Sequence, residues 1–273
     1  MEIRIVDAFT ERPFAGNPAA VAVLDAASFP EDGALQRVAT EMNLSETAFA
    51  HPLPGGGEAD WALRWFTPAA EVRMCGHATL ATAHVLHTAH PATGDMRFAT
   101  LSGVLGASVA EDGCVTLDFP TAPLTAAELP RGAAAALGVE PLSVHGTGPD
   151  VGDFLVEVAD ESTVRTLDPD LAVLGRFGGR GFIVTAPAGD PHAEHDFVSR
   201  CFFPAVGVAE DPVTGSAHTA LAPFWSARLG RERLTGRQGG RRTGLVRTTL
   251  RGDRTLLAGH AVTVLEGRLR VGV

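Results

Sequence analysis

The sequence predicts an α+β protein of two pseudo-symmetric halves, each a curled, mostly antiparallel sheet around one central helix. Three features predict it: an internal repeat, short alternating apolar patterns in both halves, and an alanine-rich helical stretch after a glycine turn in each. Arg64-Trp65-Phe66-Thr67-Pro68-Ala69 returns as Arg200-Cys201-Phe202-Phe203-Pro204-Ala205, four matches in six at an offset of 136. Cys75-Gly76-His77-Ala78 is echoed by Thr214-Gly215-Ser216-Ala217 at an offset of 139. The three extra residues fall in the acidic connection 206–213, where an insertion costs little closure entropy.

In the first half, residues 3–8 and 17–24 read as strands, and 29–42 as a helix with Leu35 and Val38 facing inward. Residues 45–51 and 62–66 read as further strands and 78–87 as the central helix. Residues 97–100, 104–109 and 114–119 alternate like antiparallel strands. The Pro- and Thr-rich stretch 120–130 reads as a linker, which sets the halves at 1–120 and 131–273, with the last strand free to return to the first half. In the second half, 133–137 and part of 164–174 read as helical, 154–158, 181–185 and 197–203 as strands, and 216–229 as the second central helix. Pro223 is expected to break or kink that helix, because proline lacks an N–H and clashes one turn back. The tail alternates through 248–250, 256–258, 261–265 and 269–271, and the site is expected between the halves.

The chain of 273 residues carries 32 acidic and 22 basic side chains, a formal charge of −10. All the basic residues are arginine, and there is no tyrosine. That excludes a lysine Schiff base, a lysine-bearing P-loop and a phenolic acid or base. Scattered arginines on an acidic chain argue against a nucleic-acid surface. Cys75, Cys114 and Cys201 form no metal knuckle or disulfide framework, as expected in a reducing compartment. With no signal-like N-terminus and no run of 18 apolar residues, a soluble cytoplasmic protein without membrane contact is expected.

Each repeated turn puts a small residue at a helix start. Gly76 and Gly215 let backbone N–H groups approach a ligand closely, and first-turn N–H groups favour anions. The alternative is that both glycines only permit tight strand-to-helix turns. Glu46, in Asn43-Leu44-Ser45-Glu46-Thr47-Ala48-Phe49, stands among apolar neighbours. Desolvation there raises a carboxyl toward working pH, as a general acid or base requires. His77 opens the first central helix, Ser216 the second, where it doubles as a candidate N-cap, and Asp211 precedes the second turn.

Five stretches carry a resemblance: Asp7-Ala8-Phe9-Thr10, Gly16-Asn17-Pro18-Ala19-Ala20-Val21, Asn43-Leu44-Ser45-Glu46-Thr47, Cys75-Gly76-His77-Ala78-Thr79 and Asp211-Pro212-Val213-Thr214-Gly215-Ser216-Ala217. In this order they resemble the PhzF-like phenazine-biosynthesis family, over most of the chain. The resemblance implies a diaminopimelate epimerase-like fold and a cofactor-independent isomerase. In the best-known member type a glutamate moves a proton between two carbons of trans-2,3-dihydro-3-hydroxyanthranilate, and Glu46 matches that glutamate. It also implies catalytic roles for His77 and Asp211, substrate-binding roles for Asn17, Ser45, Gly76, Gly215 and Ser216, a small carboxylated substrate, and a homodimer.

Epimerase relatives use one cysteine at each turn. Here the second turn has Thr214 opposite Cys75, which argues against a two-thiol racemase and for a structural thiol. An amino-acid epimerase and a non-catalytic small-molecule binder remain the alternatives. His77, His84, His87 and His90, like His192 and His195, lack a third ligand or an HExxH pattern, so no metal site is expected. His87 and His90 are expected to be solvated. The arginines Arg228, Arg231, Arg233, Arg237, Arg241 and Arg242 read as a solvated helix end and loop, a dimer contact or an anion-attracting mouth. Trp65 and Trp225 flank the motifs as pocket or core residues.

Overall fold

The computed structural model describes residues 1–89 and 94–270, so the expectation for His90 lies outside the described residues, as does the end of the last expected strand. The chain divides into two compact units, Met1–Asp118 with Ala258–Val273, and Phe119–Leu257.

The first unit runs β1 (Glu2–Ala8), β2 (Asn17–Val23), α1 (Asp32–Met42), β3 (Glu46–Pro52), β4 (Trp61–Phe66), β5 (Glu71–Val72), α2 (Gly76–Ala89), β6 (Asp95–Thr100), β7 (Gly103–Val109) and β8 (Val115–Pro120). β1–β2 is antiparallel, β2–β3 parallel, β3–β4 and β4–β5 antiparallel, β4–β6 parallel and β6–β7 antiparallel. The second unit runs β9 (Thr125–Ala126), α3 (Ala133–Leu137), β10 (Ser143–Gly146), α4 (Gly148–Val151), β11 (Asp153–Glu157), α5 (Glu161–Arg165), α6 (Leu171–Leu174), β12 (Gly181–Pro187), β13 (Phe197–Phe203), β14 (Val208–Asp211), α7 (Gly215–Leu229), β15 (Arg233–Gln238), β16 (Gly244–Arg251) and β17 (Arg254–Gly259). From β10 to β16 its pairings repeat the series: antiparallel, parallel, antiparallel, antiparallel, parallel, antiparallel. The final strand, β18 (Ala261–Arg268), pairs antiparallel with β1 along its length.

Duplication extends to side chains. Arg64 on β4 grips Glu71 through Nε and Nη2, both at 2.7 Å, and lies over Phe66. Arg200 on β13 grips Glu210 through the same two nitrogens at 2.8 Å and lies over Phe202.

Each central helix is apolar or small on nearly every face, the composition of a helix wrapped by strands. Residues of α2 from His77 to Ala83 are buried, with Val85 and Leu86. In α7, Ala217 to Ala222 and Phe224 to Ser226 are buried. α2 contacts β1, β2, β3, β7 and β18, and α7 contacts β11, β15 and β16. Leu35 and Val38 of α1 are buried in a cluster with Phe49 and Phe66. Trp65 and Trp225 are core residues; Trp225 stacks on Phe197 and donates Nε1–H to Thr185 Oγ1 at 2.9 Å.

Pro223 does not break α7, which runs unbroken from Gly215 to Leu229. The carbonyl left without a helical donor, that of Thr219, accepts the Ala122 N–H at 3.1 Å. The same bond shows that 120–130 is no free tether: Ala122 is buried and β9 pairs with β10. His87 is not solvated either; it is half-buried, with Nδ1 shielded from water. No helix among the described residues is long and apolar enough to cross a membrane.

Candidate functional site

In the first unit, β2, β3 and the start of α2 bring Asn17, Ser45, Glu46, Cys75, Gly76 and His77 together. Parallel pairing sets Glu46, first residue of β3, beside Ala19. Gly76 starts α2, and His77 follows it with its side chain almost fully buried. His77 Nε2 lies 3.2 Å from Glu46 Oε2, within ion-pair reach, yet neither atom has an aligned hydrogen-bond partner. On the other edge of the imidazole, Nδ1 lies 3.3 Å from Asn17 Nδ2 and 3.5 Å from Cys75 Sγ. Ser45 Oγ donates to Asn17 Oδ1 at 3.4 Å.

Burial pushes the His77 imidazolium down. The Cys75 sulfur and the Glu46 carboxylate outweigh it and hold the histidine well above its ordinary value. Burial, reinforced by the Glu46 charge, raises the Cys75 thiol, so it stays protonated near neutrality. Nε2 of the ring thus faces the Glu46 carboxyl group, while Nδ1 faces Asn17 and the Cys75 sulfur. Glu46, Cys75 and His77 each offer a ligand atom within 4.8 Å of the others.

In the second unit, β14 ends at Asp211 and α7 begins at Gly215. Asp211 Oδ2 accepts the Thr214 hydroxyl at 2.6 Å. Gln238 closes this turn: its Oε1 accepts the Thr214 N–H, and its Nε2 donates to the Asp211 carbonyl and to Thr214 Oγ1, each at 2.9 Å. The N-cap position belongs to Thr214, so Ser216 is not the cap; its Oγ accepts from Arg180 Nη1 at 3.0 Å. Arg180 also clamps the fully buried Asp153 carboxylate through Nε and Nη2 and lies over Phe203.

Arg180, Asp153 and Gln238 escape a reading of the sequence. Strand register shows where they belong. Phe49 opposes Arg64 as Val184 opposes Arg200, so Glu46 corresponds to Gly181 and Ser45 to Arg180. A Cβ at Gly181 would come 2.2 Å from the Phe202 carbonyl, so that position has no room for a side chain. The duplicated scaffold carries an acid at one copy of the position and none at the other. Only the register could have revealed this, because these residues share no identity between the halves.

A duplicated α+β scaffold with an acid–imidazole–thiol cluster at the head of one central helix defines a class of protein. The sequence matches the family described as phenazine biosynthesis-like protein over residues 6–267, and the chain belongs to that family. It is 48% identical to an uncharacterized isomerase of Pseudomonas aeruginosa, covering 99% of this chain and 100% of that protein. It is 44% identical to an uncharacterized isomerase of Halalkalibacterium halodurans, covering 98% and 97%. Its structure is similar to the crystal structure of a phenazine biosynthesis protein of the PhzF family from Enterococcus faecalis, with a TM-score of 0.90, 38% identity and 99% of each chain covered.

Proposed function

We propose that the protein is a cofactor-independent isomerase that moves a proton between two carbons of a small carboxylated substrate, with Glu46 as acid and base. The observation that carries this reading is the 3.2 Å approach of Glu46 Oε2 to His77 Nε2, at a half-buried place where neither atom is used by an aligned hydrogen bond. The isomerase names of relatives up to 48% identical support the reaction class.

In the proposed reaction the Glu46 carboxylate takes a proton from a carbon next to a conjugated system. The electron pair spreads into a dienolate, and the glutamic acid so formed returns the proton at another carbon; nothing is oxidised or reduced. His77, its pKa raised by its neighbours, lies 3.2 Å from Glu46 and orients it. Asn17 and Ser45 lock the imidazole from the opposite edge. The amides at Gly76 are assigned to the substrate's carboxylate and to the developing charge. Asp211, Gly215 and Ser216 carry proposed binding roles in their own unit, where Asp211 fixes the turn through Thr214 and Arg180 fixes the Ser216 hydroxyl. A homodimer is proposed as the working state, to be checked by light scattering.

The test is deuterium wash-in from D2O, using trans-2,3-dihydro-3-hydroxyanthranilate and a panel of cyclic and α-amino acids. Wild type should place solvent deuterium on carbon, and Glu46→Gln should lose about 10²–10⁴-fold in rate with binding retained. Exchange surviving in Glu46→Gln removes the glutamate mechanism. No exchange from any substrate by wild type leaves a non-catalytic binder. Cys75→Ser separates the epimerase chemistry, since a glutamate-only isomerase keeps its rate within a factor of a few.

A further inference from the structure

We propose that the second unit carries an anion site, separate from the candidate catalytic cluster, that binds a small phosphate-bearing molecule. A cavity of about 190 Å³ is lined by Val164, Arg165, Val198, Arg200, Arg237 and Gly240, among others, with no carboxylate in its wall. A single water needs only roughly 10–15 Å³ of such space, so the cavity has room for an organic ligand. Val198 is in register with Arg237 on the parallel pair β13–β15, so both side chains point to one face, with Arg200 two residues on. Gln238, the residue after Arg237 on β15, points to the opposite face, where it holds Thr214. The cavity is thus on the other side of the sheet from the head of α7.

Its three guanidinium groups are not equivalent. Arg165 is paired with Glu161. Arg200 is saturated by both oxygens of Glu210 and, through Nη1, by the Leu167 carbonyl at 2.7 Å. The guanidinium of the half-buried Arg237 makes no hydrogen bond or ion pair with the described residues. A shielded cation of this kind calls for an acceptor. Arg165 and Arg200, each neutralised from behind, add wall without a large surplus of charge, which suits a mono- or dianion.

The loop after β15 shapes the cavity. A Cβ at Gly240 would lie 2.9 Å from Arg200 Nε, so the glycine lets the backbone rest close against a guanidinium that Glu210 and the Leu167 carbonyl already hold. Val164 and Val198 give an apolar floor for the organic part of the ligand. Phosphate fits better than carboxylate, because two of its oxygens can meet the Arg237 fork while a third remains for the Nη1 group that Arg165 does not spend on Glu161.

The experiment is a calorimetric titration of the full chain at constant ionic strength with inorganic phosphate, phenyl phosphate and acetate. Phenyl phosphate should bind saturably and more tightly than inorganic phosphate, and acetate should bind at least tenfold more weakly than either. Arg237→Gln should weaken phosphate binding at least tenfold, while Arg233→Gln, an exposed arginine on the same strand, should leave it unchanged. In wild type the Arg237 Nε–Hε resonance should move with the same saturation curve, a readout independent of the variant's folding. Absence of saturable binding, equal loss in the two variants, or acetate binding as well as phosphate overturns the proposal. Deuterium exchange by Arg237→Gln should match wild type, so this site and the catalytic reading fail separately.

Discussion

Glu46 begins a strand and His77 begins a helix, and their side chains meet because both elements belong to one wrapped unit. His77 contributes stability that is fully present below its unfolded pKa, about 6.5, and lost as pH rises through its elevated folded value. His77→Asn should therefore lower stability at pH 6 more than at high pH in urea melts, and should slow deuterium exchange about 10²-fold. His218 behaves in the opposite sense. Burial drives its pKa down to about 4, although its ring donates from Nδ1 to the Thr214 carbonyl at 2.9 Å. The unfolded chain binds the proton first, so stability falls as pH drops from about 6.5 through 4, by at most about 3 kcal/mol. His218→Asn keeps an N–H donor without the titration, and its melts should be flatter across that interval. An unchanged acid limb would place the proton uptake elsewhere.

At the scale of elements, α7 shows how tertiary structure rescues a helix from its own sequence. An interior proline ordinarily costs about 3 kcal/mol, part of it the orphaned carbonyl. Because Ala122 supplies the missing donor, Pro223→Ala should gain less than about 1 kcal/mol in denaturant melts. A gain near 3 kcal/mol would mean the Ala122 bond is worth nothing. β12 shows the opposite dependence. Gly181→Ala drives a Cβ against the Phe202 backbone at 2.2 Å, and should cost about 1–3 kcal/mol with little effect on the first unit's His77–Glu46 pair.

At the scale of the molecule, the two units share one pairing series but not one chain segment. The first unit is completed from the far end of the sequence, since β18 runs antiparallel to β1 from Glu2↔Arg268 to Ala8↔Ala261. Truncation after Gly259 exposes an edge of β1 and uncovers part of α2, which β18 contacts. Hydrogen exchange in such a truncation should accelerate in β1 and α2, and less in β12 and β13. Uniform acceleration would show that the units unfold as one.

The duplication, both central helices and most strands could be read from the chain alone, because they rest on local periodicity and on a repeat of residue types. Glu46, His77 and Asp211 could be singled out for the same reason: each stands in a short, distinctive stretch. What needed tertiary structure was everything set by contact between distant segments. The donor that spares α7 at Pro223 and the Arg180 clamp on Asp153 and Ser216 come from strand register and from groups finding partners far along the chain. No local pattern of residues encodes a hydrogen bond of that kind.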